Sequence, residues 1–233
     1  MRVLRRENPH FEIDAHRTEL WLQADRALTG RLRVGMEAGW ADVRFGALDD
    51  RLARYRLRLE VDTRADVAFP RNAVWAQVSY EWLDGSEGGH LIGRPRYQAD
   101  VYKGLIGQLV LALRADYVDA DAPVPPYEQP LLGGVATVRG WRVGAFAGDR
   151  RVNGSVELRV PLSSPLSVGR AGATLFYDTG ATYDVGQSIQ GARFRQGAGA
   201  GVFLVAPLVR LRLDVAHNLV DDVRVHVGAA LSF

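Results

Sequence analysis

The residues able to do chemistry are numerous, yet few are arranged for catalysis. The five histidines, His10, His16, His90, His217 and His226, show no spacing that would bring two onto one metal ion. No Gly-x-Ser-x-Gly elbow, His-Glu-x-x-His pair or phosphate-binding loop occurs. The run Gly197-Ala198-Gly199-Ala200-Gly201 lacks the strand-then-helix setting of a phosphate cradle, and reads better as small residues where a wall packs against a plug. Asp49-Asp50 and Asp221-Asp222 read as solvated loop charge. Cysteine is absent, which removes disulfides and thiol chemistry. The sequence therefore predicts no catalytic residue, no metal site, no cofactor and no enzyme.

Charge excludes another class. Lys and Arg total 29 against 27 Asp and Glu, a formal net charge of +2 in 233 residues. Lys103 is the only lysine, and the longest basic runs are the pairs Arg5-Arg6 and Arg150-Arg151. No face carries a nucleic-acid footprint. No apolar stretch approaches the ~18 residues of a membrane helix, and the first eight residues, through Asn8, contain no apolar core of a signal peptide.

The dominant period along the chain is two. In 209–215 the odd residues Val209, Leu211, Leu213 and Val215 are apolar, while Arg210, Arg212 and Asp214 are charged. Tyr55, Leu57, Leu59 and Val61 alternate with Arg54, Arg56, Arg58 and Glu60 in the same way. Such alternation marks strands, whose successive side chains leave opposite faces. Strands are predicted at 11–27, 31–45, 54–66, 73–83, 95–104, 107–119, 154–161, 171–183, 193–206, 209–218 and 223–233, with 142–148 read as loop. Short links at Thr29-Gly30, Pro70-Arg71-Asn72, Ile106-Gly107, Ser163-Ser164-Pro165 and Ala206-Pro207-Leu208 alternate with longer ones at 46–53, 84–94, 120–153, 184–192 and 219–222.

Short turns at one end and long loops at the other describe an antiparallel up-and-down transmembrane β-barrel, all-β, with about 11–12 strands present. A soluble sandwich or lipocalin-like barrel would alternate too. Strand length and the Arg, Glu and Asp on the polar face favour a bilayer-spanning wall around a wet lumen. Trp40, Phe45, Trp82, Tyr102, Tyr117 and Phe233 fall near strand ends, where a bilayer interface would hold them.

Residues 131–141 read Leu-Leu-Gly-Gly-Val-Ala-Thr-Val-Arg-Gly-Trp. This resembles the Gly-Gly…Val-Arg-Gly-aromatic loop of the BamA/TamA superfamily, also called bacterial surface antigen proteins. Other blocks follow in the order of that family: Asp62 to Asp66 with Phe69-Pro70-Arg71, Gly154 to Leu162, Phe176-Tyr177-Asp178, the glycine run 197–201 with Arg212-Leu213-Asp214, and the terminal aromatic Phe233. Two places depart from the pattern. Asn72-Ala73 stands where a glycine is expected, and the turn after Ala206 lacks its usual glycine.

The resemblance implies that 1–233 is a single barrel domain, the C-terminal portion of a barrel of about sixteen strands, preceded in the family by periplasmic POTRA domains. It implies that 120–153 is a long loop folded into the lumen. Its Val138, Arg139, Gly140 and Trp141, with loop glycines Gly133 and Gly134, would meet the inner wall at Glu157, Phe176 and Asp178. Parity agrees, since Glu157 shares a face with Ser155 and Arg159, and Asp178 with Thr174 and Phe176. A guanidinium lowered into a barrel needs such partners. The implied function is insertion of outer-membrane proteins or translocation of polypeptides, in the bacterial outer membrane. Its partners would be membrane lipid and client polypeptides, with no nucleic acid. The alternative is a passive pore or structural barrel without assembly activity.

Overall fold

The computed structural model describes residues 2–85, 91–163, 169–206 and 209–231. Phe233 and the turns at Ser164-Pro165 and Pro207-Leu208 lie outside these described residues. The strands are β1 (Arg2–Asn8), β2 (Ile13–Ala27), β3 (Leu32–Phe45), β4 (Leu48–Asp62), β5 (Ala73–Gly85), β6 (Leu91–Gly104), β7 (Val110–Val118), β8 (Leu131–Leu132), β9 (Phe146–Ala147), β10 (Arg150–Ser163), β11 (Arg170–Tyr183), β12 (Arg195–Val205), β13 (Val209–His217) and β14 (Val223–Leu231). Twelve of them form one antiparallel sheet in sequence order, with only β8 and β9 set apart as a two-stranded ribbon. Among the described residues no helix is long and apolar enough to cross a membrane; a β-barrel crosses with strands.

The two faces of the sheet differ as the alternation predicts. On β4, Tyr55, Leu57, Leu59 and Val61 are 38–49% exposed. Arg54, Arg56 and Arg58 turn to the concave face, where they meet carboxylates. Val78, Val101, Leu113, Val156, Leu175, Val202 and Leu213 continue the exposed apolar band on the other strands. So large an apolar surface on one face of a sheet is suited to lipid and not to water.

Several elements differ from the sequence reading. Residues 2–8 form β1, paired with β2 from Arg2↔Glu19 to Asn8↔Ile13; the Arg5-Arg6 pair had hidden its alternation. The segment 46–53 is not a long loop. The chain reverses at Gly46 and Ala47, and β4 starts at Leu48, setting Asp42 opposite Arg51 and Arg44 opposite Asp49. These cross-strand charges, at 3.6 and 3.5 Å, tie Asp49 and its neighbour Arg51 into the ladder. The segment 142–148, read as loop, contributes the two-residue β9. The link ending at Asn72 is long, spanning 63–72. Asn72 adopts φ of 49°, a conformation that asparagine tolerates better than most residues. That is how this chain does without the glycine expected there, and the Asn72 side-chain oxygen accepts the Gly104 N–H at 3.0 Å.

Two aromatics assigned to the bilayer interface point inward instead. Phe45 is 3% exposed and belongs to an interior cluster with Ala41, Val43, Leu52 and Leu83. Tyr102 is 6% exposed, in a second cluster with Phe69, Val110 and Ala112. Both share the parity of the charged face, so an apolar cluster lines the concave side near each end of the strands. Trp40, 44% exposed, faces outward.

Candidate functional site: an arginine loop on an acidic wall

The connection from β7 to β10, residues 119–149, is the longest in the sheet. It folds onto the concave face. The registers fix its receiving surface. Ser155 of β10 lies opposite Asp178 of β11, and Glu157 opposite Phe176. Asp178 in turn lies opposite Gly197 of β12, and Gly201 opposite Asp214 of β13. Alternation points all these side chains inward, giving three buried carboxylates with a glycine track beside them.

Arg139 descends into this surface and is 4% exposed. Its Nε donates to Asp178 Oδ2 at 2.6 Å and Nη2 to Oδ1 at 2.7 Å, a bidentate fork. Nη1 donates to Glu157 Oε2 at 3.1 Å and to Asp214 Oδ2 at 3.3 Å, and Nη2 also reaches Ser155 Oγ at 3.2 Å. Those five bonds use all five N–H donors of a guanidinium. The Phe176 ring lies 3.4 Å from Cζ, covering the guanidinium face. Two more arginines complete the balance: Arg159 binds Glu157 at 2.8 Å, and Arg212 bridges Glu157 and Asp214 at 2.5 Å each. Three arginines thus face three carboxylates, the pairing a buried cluster requires.

Neighbouring loop residues are held by shape. Gly140 has φ of 91°, and a Cβ there would come within 2.8 Å of the Asn218 backbone nitrogen. Its N–H donates to His226 Nε2 at 3.0 Å. A Cβ at Gly197 would lie 1.9 Å from the Arg139 carbonyl oxygen, so the glycine run of β12 is the track on which the loop backbone rests. Val138 is fully buried. Trp141 Nε1 donates to the Gln196 carbonyl at 2.9 Å, and its ring meets Phe146 edge-on at 5.0 Å. Gly133 and Gly134, both at positive φ, turn the chain before this segment, where Gly134 N–H bonds the Trp141 carbonyl at 3.1 Å.

The structure therefore brings Val138, Arg139, Gly140, Trp141, Glu157, Phe176 and Asp178 into one assembly, while Phe233 is outside the described residues. Sequence reasoning missed Asp214, Arg212, Ser155 and His226. Arg212 and Asp214 were visible as the charged parity of β13 and within a block similar to the family's last strands, but neither reading tied them to the loop. Among the described residues no cluster of His, Asp and Glu is arranged to hold a metal.

Long antiparallel strands, apolar outside and charged within, with an arginine loop seated on the inner face, define the wall of a transmembrane β-barrel carrying a folded-in loop. The Omp85 superfamily domain matches residues 37–229, and the chain belongs to that superfamily. It is 34% identical to the chloroplastic outer envelope protein 80 of Arabidopsis thaliana over 115 residues, 46% of this chain and 15% of that protein. Its fold is similar to BamA from Haemophilus ducreyi lacking POTRA domains 1–3, with a TM-score of 0.78 at 13% identity, covering 94% of this chain and 55% of that one. It is also similar to CdiB from Escherichia coli, with a TM-score of 0.70 at 15% identity, covering 99% of this chain and 48% of that one. The chain thus spans about half the length of these solved chains.

Proposed function

We propose that this barrel inserts proteins into the outer membrane of a bacterium, or translocates polypeptides across it, with the loop around Arg139 bracing the lumen. The observation that carries the reading is Arg139 on Asp178, Glu157 and Asp214, in a chain of the Omp85 superfamily. A barrel that handles polypeptides needs no cofactor. An incoming strand would pair with exposed backbone at a sheet edge, by β-augmentation. The loop would hold the wall in shape while such an edge is engaged. Membrane lipid and unfolded client polypeptides are the expected partners, with POTRA domains on the periplasmic side receiving the clients.

Depletion of the protein in cells, with folded outer-membrane proteins and secreted polypeptides quantified, tests this reading. Reconstitution of the whole protein in liposomes separates it from the passive pore. A client-handling barrel should accelerate membrane insertion or protease-protected uptake of an unfolded client. Ion conductance without either effect would favour the pore.

A further inference from the structure

The lumen holds a second charged junction that the Arg139 assembly does not include. The 119–149 loop leaves β7 and makes a short 3-10 turn at Pro126–Glu128. Tyr127 lays its ring against Phe45, centroids 6.1 Å apart, and its hydroxyl bonds Asp50 on β4. Glu128 then enters a socket of three arginines from three strands, its side chain only 7% exposed. Arg54 Nη2 lies 2.8 Å from each carboxylate oxygen, Arg94 Nη1 donates to Oε2 at 3.3 Å, and Arg17 donates to Oε1. Arg94 Nη2 also holds the Glu128 carbonyl at 3.0 Å, so side chain and backbone are gripped together.

We propose that Glu128 is a second anchor of the loop, reversed in charge from Arg139, which fixes the loop's first limb to the arginine wall of β2, β4 and β6. The two anchors grip different sides of the lumen. Glu128 binds β2, β4 and β6, while Arg139 binds β10, β11 and β13. Between β4 and β11 the sheet runs through β5, β6, β7 and β10. The segment 128–139 is therefore a strut across the concave face. An anion at one end and a cation at the other also set its direction, because inverting the strut would put like charges in contact. Glu128 is a positioning residue, and its role stands whether the barrel inserts, translocates or only conducts.

The test uses local protection. This chain has no cysteine, and Val124 and Val138 are 4% and 0% exposed. Val124→Cys, near Glu128, and Val138→Cys, beside Arg139, become separate reporters when labelled by a thiol reagent in the folded protein and read peptide by peptide. In Glu128→Gln the Val124→Cys rate should rise about tenfold or more, the factor that ~1.4 kcal/mol of local opening gives, with the Val138→Cys rate changed less than about threefold. Arg139→Gln should give the opposite pattern, and Glu128→Asp should restore most of the Val124→Cys protection. Arg54→Gln attacks the same socket from the wall and serves if Glu128→Gln does not fold. Arg54 also pairs with Glu81 at 3.2 Å, but at the Val124→Cys reporter its loss combined with Glu128→Gln should add little, since both remove the Arg54–Glu128 contact. Unchanged Val124→Cys protection in folded Glu128→Gln or Arg54→Gln would overturn the proposal, as would an equal rise at both reporters.

Discussion

Arg139 and Asp178 are joined three times: by the two arms of the guanidinium fork at 2.6 and 2.7 Å, and by the Arg139 backbone N–H donating to the same carboxylate at 3.1 Å. One wall residue thereby fixes both the head and the backbone of a loop residue, so the fork cannot rotate independently of the loop. Ser155 Oγ donates to Asp178 Oδ1 at 2.6 Å and prevents the carboxylate from turning away.

Removing the cation should release the loop before it weakens the barrel. Arg139→Ala leaves Asp178, Glu157 and Asp214 buried with a deficit of positive charge. Breaking such a pair costs ~3–5 kcal/mol in protein cores, and less where water enters. Arg139→Lys should recover part of the loss, because an ammonium has three donors and no planar fork. A double-mutant cycle between Arg139 and Asp178, read by loop protection, should show clear coupling. Coupling within error of zero would sink the assignment.

The glycine track predicts a steric route to the same release. Gly197→Ala keeps every charge but drives a methyl into the Arg139 carbonyl, a backbone atom that cannot step aside alone. Overpacking of this kind costs about 1–3 kcal/mol. Ala200→Val, on the exposed parity of the same strand, adds more volume and should leave the loop in place. Equal labelling of the loop in the two variants would show that the track is not a contact surface.

Strand period and charge parity made the barrel wall legible in the sequence, since one buried and one lipid-facing side force alternation at each residue. The loop motif at 131–141 pointed to Arg139, and parity placed Glu157 and Asp178 inward. Less local features were hidden. Asp49 and Asp50 resemble loop residues until the register of β3 and β4 sets Arg44 opposite Asp49, and the Tyr127 hydroxyl bonds Asp50. Glu128 is one acidic residue in a proline-rich stretch. Its importance comes from Arg17, Arg54 and Arg94 on three strands, and no sequence spacing records that convergence. Phe45 and Tyr102 misled because an aromatic near a strand end suits a bilayer interface and an inward-facing apolar cluster equally well.

The Glu128 socket should also respond to acid. Burial alone would raise this carboxyl, but the charges of Arg54, Arg17 and Arg94 outweigh that and hold it below its ordinary value. A carboxyl lowered in the folded state contributes stability that is complete above its unfolded value, ~4.3, and fades as pH falls through the folded one. Protection of the loop's first limb should thus be level from neutral pH down to the ordinary carboxylate range and drop below it. Glu128→Gln should flatten that acid limb. A transition near pH 6 unaffected by the substitution would assign the effect to another group.

Two adjacent residues on β5 test the orientation of the wall. Val78 is 48% exposed on the apolar face, whereas Gln77 turns to the concave face and donates from Nε2 to Gln98 at 3.3 Å. If the apolar face meets lipid, Val78→Arg places a charge in hydrocarbon, at ~2–4 kcal/mol near the bilayer midplane and ~0–1 kcal/mol near its edges. Gln77→Arg puts the same charge one residue away, in a lumen already lined with Arg56 and Arg96 beside carboxylates, and should cost little. Refolding of the whole protein into lipid vesicles over a urea series measures both. A soluble barrel with a polar exterior would reverse the order, because arginine is harmless on a wetted surface and costly inside. Equal stabilities for the two variants, or Gln77→Arg as the weaker, would overturn the membrane-facing assignment of the alternating strands.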